Sequence, residues 1–363
     1  MYIIIVRIAY ELRDKDRRGV KISYVNRMYV IHYNKIFLKI NRYLGGRELG
    51  IYILKRIAQM GIILFIISVF TFMLMSFIPG DPVYAMMGEE VSEEEYQRVY
   101  YELELDKPVI VRYFSWLNKA LHGDLGQSTQ FHKATSEVLG ERVPITIYLA
   151  FLAFLISIPL GILFGVISAV FRGKGLDNVV TLIANITACL PQFWVGVLVM
   201  YVFSLKLGWL PSYGFSFPWD GDIITSLKQT AMPLFCLSLG GIATTTRQTR
   251  SSMLEVIRQD YVRTARSKGL SRRKVIFVHA LKNGLIPVIT ILGMRLGSML
   301  GGSMFVESVF SIPGMGSLFV KAITSRDMPV VQACVLITAL VACMVNLLTD
   351  ILYAVVDPRI RVE

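Results

Sequence analysis

The spacing between charged residues constrains this chain more than any other feature. Between Arg56 and Asp81 lie 24 consecutive uncharged residues, between Arg142 and Arg172 29, and between Asp177 and Lys206 28. Lys228 to Arg247 encloses 18 more and Asp327 to Asp350 another 22, while 285–306 is a sixth apolar stretch broken only by Arg295. A helix on a soluble protein must turn a polar face to water, so it cannot run this long without charge. A bilayer core of roughly 30 Å, by contrast, needs about 20 apolar residues to cross it. The pattern predicts an all-α transmembrane fold of six spans, near 57–78, 144–170, 179–205, 232–246, 285–306 and 330–356.

An even number of spans puts both termini on one side. The segments on that side (1–56, 172–177, 247–282 and 357–363) carry 27 Lys and Arg against 10 on the other, which assigns both termini to the cytoplasm. Twelve of the 26 acids fall between Asp81 and Glu141, on the opposite side. The net charge of +12 is then accounted for by basic loops beside anionic headgroups, without nucleic acid. Cys189, Cys236, Cys334 and Cys343 all lie in expected spans, where thiols act as small hydrophobes.

Five regions follow: a basic cytoplasmic extension at 1–50, a first span at 51–80, an extracytoplasmic insert at 81–142, a core of five spans at 143–356 and a tail at 357–363. In the insert, Ser92 followed by Glu93, Glu94 and Glu95 reads as a helix start. Gly161 and Gly165 form a GxxxG in the second span, and Gly293, Gly297 and Gly301 a small-residue stripe in the fifth; both favour close helix packing. Pro191 predicts a kink in the third span.

The longest cytoplasmic loop, 247–284, is the most informative segment. Its stretch Asp260-Tyr261-Val262-Arg263-Thr264-Ala265-Arg266-Ser267-Lys268-Gly269-Leu270 reads as a short helix over 260–268. Gly269 would stop it in the left-handed conformation and resist bulk, and Ser271 would cap a second turn. Two short helices meeting at a glycine between spans make a knob that can dock in a groove on a cytoplasmic partner and receive its motion.

Here the sequence resembles the permeases of type I ATP-binding-cassette (ABC) importers, in the dipeptide/oligopeptide/nickel class. The broader superfamily opens this loop with Glu-Ala-Ala and places glycine six positions after the Glu. Arg263-Thr264-Ala265 stands there instead, so only Ala265 and Gly269 fit the general form, and the Arg-Thr-Ala version resembles the peptide branch. Supporting blocks include 78–82 (IPGDP), 123–128 (GDLGQS), 306–316 (VESVFSIPGMG), 357–361 (DPRIR) and the His279-Ala280-Leu281-Lys282-Asn283 run. The resemblance covers about 51–361 and says nothing of 1–50.

It implies a six-span type I permease bundle of a bacterial or archaeal cell membrane, moving peptides or similar small solutes by alternating access. A nickel complex is the alternative cargo, and an ion-coupled secondary transporter the rival class. The implied partners are a second, homologous permease in a heterodimer, two cytoplasmic ABC ATPase subunits, an extracytoplasmic solute-binding protein and membrane lipids. ATP and Mg would be used by the ATPases and no cofactor held here, in keeping with the lack of a GxxxxGK[ST] loop. The expected coupling residues are Asp260, Tyr261, Arg263, Thr264, Ala265, Ser267, Lys268, Gly269 and Leu270. Arg295, the one basic residue inside a span, is a candidate for the substrate path with Gly293 and Gly297, against a structural pairing or snorkelling. Glu307, just outside the fifth span, is a candidate outer-gate or binding-protein contact, against a local cap. His122 and His132, ten apart with no further ligands, make a poor metal site.

Overall fold

The structure, a computed structural model, describes residues 47–77, 80–88 and 90–356, with the side chains of 290–298 and a few other helical positions outside that description. The expected extension up to residue 46, the Ile78-Pro79 step of the IPGDP block and the DPRIR block at 357–361 therefore lie outside the described residues. The chain divides into two units. In the small one, Met1–Ala58 with Ala354–Glu363, Arg56 Nε donates to the Tyr52 hydroxyl at 3.1 Å and its guanidinium lies over the same ring. The larger unit is Gln59–Tyr353, and the contacts that follow lie within it.

Among the described residues the elements are helical and no strand occurs. Helix α1 (Arg47–Ser76) carries the first apolar stretch. Three short helices follow: α2 (Pro82–Met87), α3 (Glu93–Glu102) and α4 (Val109–Leu121). Asp81 caps α2 by accepting from Val83 N at 2.8 Å, and its other oxygen accepts from the Tyr96 hydroxyl, which pushes that phenol up to about 12. At the start of α3, as the sequence predicts, Ser92 accepts from Glu95 N and donates to the Glu95 carboxylate. Helix α4 packs on α1 through Tyr113 and Trp116, each 5.5 Å from Phe72 between ring centroids. Buried Tyr113 also shares a 2.8 Å hydrogen bond with Ser68.

Helix α5 (Thr135–Val170) runs 36 residues, about 54 Å at 1.5 Å per residue, and contains Pro144 and Pro159. The third stretch divides into α6 (Gly175–Cys189) and α7 (Gln192–Met200), the latter extended by a π-helical turn to Lys206. They bend by 102° at Leu190-Pro191, far more than a kink. Helix α8 (Ile223–Val256), capped by Asp222, is 34 residues long. It carries the short fourth apolar stretch onward through Arg247 and Arg250, so the first ten residues of the expected loop are helical. After the segment described below come α10 (Ile286–Val309), α11 (Met315–Thr324) and α12 (Met328–Val356), the short helix α9 (Asp260–Ser267) lying before them. Each of the six apolar stretches thus falls in a long helix or in the bent pair. By length and apolarity alone α1, α5 and α12 qualify as spans, and the bent pair as a fourth.

The core is built on the seam between α5 and α8. Leu149 and Ala153 of α5 meet Met232, Cys236 and Leu237 of α8, with Val306 and Phe310 closing the cluster from α10. Farther along, a Cβ at Gly161 would stand 2.5 Å from Thr245 Cβ, and one at Gly165 would stand 2.5 Å from Thr249 Cβ and 2.7 Å from the Thr246 carbonyl. Gly241 of α8 answers in kind, since its Cβ would meet Ser157 at 2.7 Å. Small residues on both helices let the backbones approach where no hydrophobic force separates lipid from protein contact. Gly140 lies on the same helix α5 with nothing within 4 Å of its would-be Cβ. Gly165→Ala should therefore overpack the seam by about 1–3 kcal/mol, whereas Gly140→Ala should be neutral or slightly stabilising. Thermal unfolding of the two purified variants measures the contrast, and equal midpoints would remove the seam from the account of stability.

Candidate functional site

Helix α9 is the expected short helix, running Asp260–Ser267 with Lys268 at its C-cap. Its period puts Val262 and Ala265 inward against Val275, flanked by Val256 and Leu270. Tyr261, Arg263, Thr264, Arg266, Ser267 and Lys268 remain exposed. Asp260 and Arg263 approach to 3.6 Å, but their side chains are 97% and 73% exposed, so the pair contributes little. Gly269 has φ +77° and its N–H returns to the Arg266 carbonyl, the helix end its position predicts. The expectation about bulk needs restating: nothing lies within 4 Å of a Cβ there, so the demand for glycine comes from the backbone angle. Ser271 then caps the next turn, accepting from Lys274 N at a long 3.5 Å.

The segment is tied down at several points. Asn283 Nδ2 donates to the Tyr261 hydroxyl at 2.8 Å, joining the exposed face of α9 to the turn that leads into α10. Ser252 of α8 donates to the Gly284 carbonyl at 2.6 Å, and a Cβ at Gly284 would meet Met253 Sδ at 2.7 Å. Arg272 Nη2 reaches the Val170 carbonyl at the end of α5. Beneath these bonds Met253, Ile276 and Ala280 pack with Val166 and Ala169 of α5. The chain between α9 and α10 passes through three helical pieces, Arg272–Lys274, a π-helical Val275–Ala280 and Leu281–Gly284, with hardly a loop residue among them.

A buried ion pair locks the same end of the bundle. Arg250 of α8 grips Asp177 of α6 as a fork, Nε to Oδ1 at 2.8 Å and Nη2 to Oδ2 at 2.9 Å. Asp177 also accepts from Ser168 of α5 at 2.5 Å and from Gly173 N at 2.9 Å, so all its lone pairs are used. Three helices meet on one carboxylate. Sequence reasoning counted Asp177 and Arg250 only as loop charges, because partners 73 residues apart leave no local pattern.

At the other end, Glu307 is fully buried at the end of α10. Its carboxylate accepts from Thr146 of α5 at 2.7 Å, and from Gly316 N and Ser317 N at the start of α11. The local-cap alternative describes this geometry, and burial excludes direct contact between this carboxylate and another protein in this conformation. Asp327, also fully buried, caps α12 and accepts from Ser128 at 2.5 Å and from Gln130 N. That pins the GDLGQS block to the turn before the last span. Gly293, Arg295 and Gly297 fall on α10, but the Arg295 side chain lies outside those described. The structure therefore brings the 260–270 residues together, and leaves Glu307 and the α10 residues apart from them.

The arrangement is an exposed polar helix tied by hydrogen bonds and packing to the ends of α5, α8 and α10, with α6 held to α8 by the Asp177–Arg250 fork. The sequence profile of a family described as "Binding-protein-dependent transport system inner membrane component" matches residues 161–362, and the N-terminal profile of such components matches 50–150. A Brucella abortus protein bearing the name of a peptide transport system permease is 42% identical over 311 residues, 86% of this chain and 99% of its own. The oligopeptide transport system permease protein AppB of Bacillus subtilis is 38% identical, over 85% of this chain and 99% of its own. The di/tripeptide transport system permease protein DppB of Pseudomonas aeruginosa is 37% identical, over 81% and 94%.

Asp177→Asn would leave the Arg250 guanidinium beside an uncharged amide. Because the Arg250 side chain is 30% exposed, the loss should fall below the ~3–5 kcal/mol of a fully buried pair, at about 2 kcal/mol. A clear drop in unfolding temperature of the purified protein is expected; an unchanged one would mean the fork holds nothing.

Proposed function

This chain belongs to the family of binding-protein-dependent transport system inner membrane components, and from that premise we propose that it is the permease subunit of an ABC importer for di- or oligopeptides. The observation that carries the family is the profile match over 161–362; the one that carries the cargo is the peptide naming of relatives about 40% identical over nearly their whole length. As a permease it is a cell-membrane protein without a hydrolytic role of its own, and ATP and Mg belong to partner ATPases.

The finer assembly is a proposal. A second, homologous permease completes the pathway as a heterodimer, two ATPases sit at the cytoplasmic face, and an external binding protein delivers solute. The excess of Lys and Arg on the 247–282 side supports cytoplasmic termini. Helix α9 then acts as the coupling element. Its inner face (Val262, Ala265) fastens it to its own chain, while Tyr261, Arg263, Thr264, Ser267 and Lys268 are exposed on the face that would meet an ATPase. ATP-driven closure of the ATPases would move α9, and the Tyr261–Asn283, Ser252–Gly284 and Asp177–Arg250 contacts would carry that motion to four helices. Arg295 is the candidate partner for a peptide carboxylate within the membrane.

The complete complex, reconstituted in vesicles, should take up di- and oligopeptides with ATP, and a nickel complex poorly; the reverse preference would overturn the cargo. Gly269→Val forces a branched side chain to φ +77°. It should leave the complex assembled while cutting ATP-driven uptake at least about tenfold, a loss of ~1.4 kcal/mol in coupling; normal uptake would remove α9 from that role. Arg295→Gln should raise the KM for peptides at unchanged assembly, and unaltered uptake kinetics would end its assignment to the path.

A further inference from the structure

Helix α1 does not close against the rest of the larger unit along its second half. Between them lies a cavity of 900 Å³, near the upper end of the ~300–1,000 Å³ usual for a small-molecule site. Its walls are Ile66, Phe70 and Leu74 of α1, Phe319 of α11, and Val335 and Ala339 of α12. Among the residues that line it, one alone is charged, Arg326, in the turn between α11 and α12.

The surroundings of Arg326 set it apart from an ordinary surface arginine. It adopts φ +55°, a left-handed conformation uncommon for a side chain with a Cβ. Its neighbour Asp327 is turned inward and saturated by Ser128 and Gln130, so that carboxylate forms no ion pair with it. The Arg326 guanidinium is exposed and makes no hydrogen bond or ion pair with any described residue. Nη1 stands 3.4 Å from where a Cβ on Gly80 would be, so this cation of the cavity lining lies beside Gly80, four residues past the last residue of α1.

The dimensions match one leaflet. From Ile66 to Met75 the cavity follows α1 over ten residues, nine rises or roughly 14 Å, and half of a hydrocarbon core is roughly 15 Å. Helix α4 packs on this half of α1 and turns apolar side chains outward. Tyr113 bonds Ser68, eight residues or about 12 Å before the end of α1 at Ser76. The exposed side chains of α4 include Ile110, Phe114 and Leu121, exposed by 64%, 57% and 77%. The α1 wall of the cavity is bulky, whereas helices that pack closely in membranes present small residues. A cation unpaired among the described residues, lining an apolar slot about as deep as one leaflet, is complementary to a phosphate carrying acyl chains.

We propose that this cavity is a site for an anionic phospholipid of the outer leaflet, its phosphate held by Arg326 and an acyl chain lying between α1 and α12. The leaflet rests on the orientation proposed above; the site itself does not. The lipid would act as a filler that lets α1 and α12 separate and approach without exposing a void, which alternating access requires of a helix so loosely seated.

The test uses the whole transporter complex in nanodiscs containing phosphatidylglycerol or phosphatidylcholine with a diazirine on one acyl chain. After irradiation, the phosphatidylglycerol probe should label 66–75 and 335–342 of this chain in preference to the phosphatidylcholine probe. Arg326→Gln should lower phosphatidylglycerol labelling about tenfold and leave phosphatidylcholine labelling unchanged, and Arg326→Lys should keep most of it. Equal labelling by both probes in the wild type, or indifference to Arg326→Gln, would overturn the site. So would protection of both stretches from both lipids, which would mean another protein helix fills the slot. Labelling is read without transport, so a failure here leaves the importer assignment standing, and the reverse.

Discussion

The close approach of α5 and α8 is the contact on which the rest of this molecule depends. Gly161, Gly165 and Gly241 remove side chains where Thr245, Thr249 and Ser157 press in, and the two long helices become one body. In lipid this cannot be driven by escape from water, so it rests on packing that tolerates no added atoms. Everything at the α9 end is mounted on that pair: Val166 and Ala169 receive Met253 and Ile276, and the carbonyl that ends α5 receives Arg272.

Three buried carboxylates then fix the elements that the seam does not reach. Asp177 gathers α5, α6 and α8; Glu307 joins α10, α5 and α11; Asp327 holds the turn before α12 to the Ser128 turn. Each is satisfied by hydroxyls, backbone N–H groups or a guanidinium, which is the condition for burying a charge at tolerable cost. Their placement at the two ends of the bundle leaves its middle to apolar and small-residue contacts. Such a division keeps charge out of the apolar interior, since the carboxylates are satisfied at the ends while the middle is held by close packing alone.

Much of this was legible in the sequence because the bilayer imposes it. Charge-free runs located α1, α5, α8, α10, α12 and the bent α6–α7 pair, Ser92 marked a helix start, and Asp260–Gly269 gave α9 with its glycine stop. Prolines were less readable. Pro144 and Pro159 sit inside an unbroken α5 while Pro191 accompanies a 102° bend, so neighbouring packing and not the residue decides the outcome. The Asp177–Arg250 fork, the Asp327–Ser128 bond and the burial of Glu307 could not be seen, because each links positions that are brought together only by the finished bundle. At 269 the left-handed helix stop was legible, whereas the expected resistance to bulk has no packing behind it: open space surrounds the residue, and the backbone angle alone asks for glycine.

The central claim is that α9 moves as one piece with the α5–α8 pair. Spin labels at Phe171, just past the end of α5, and at the exposed Ser267 of α9 measure that link directly in the assembled complex, by pulsed electron spin resonance with and without ATP. The distance within this chain should stay constant while the distance from its Ser267 label to one on the proposed second permease changes. A shift of the Phe171–Ser267 distance as large as the change between permeases would contradict the claim, because α9 would then be swinging on its own.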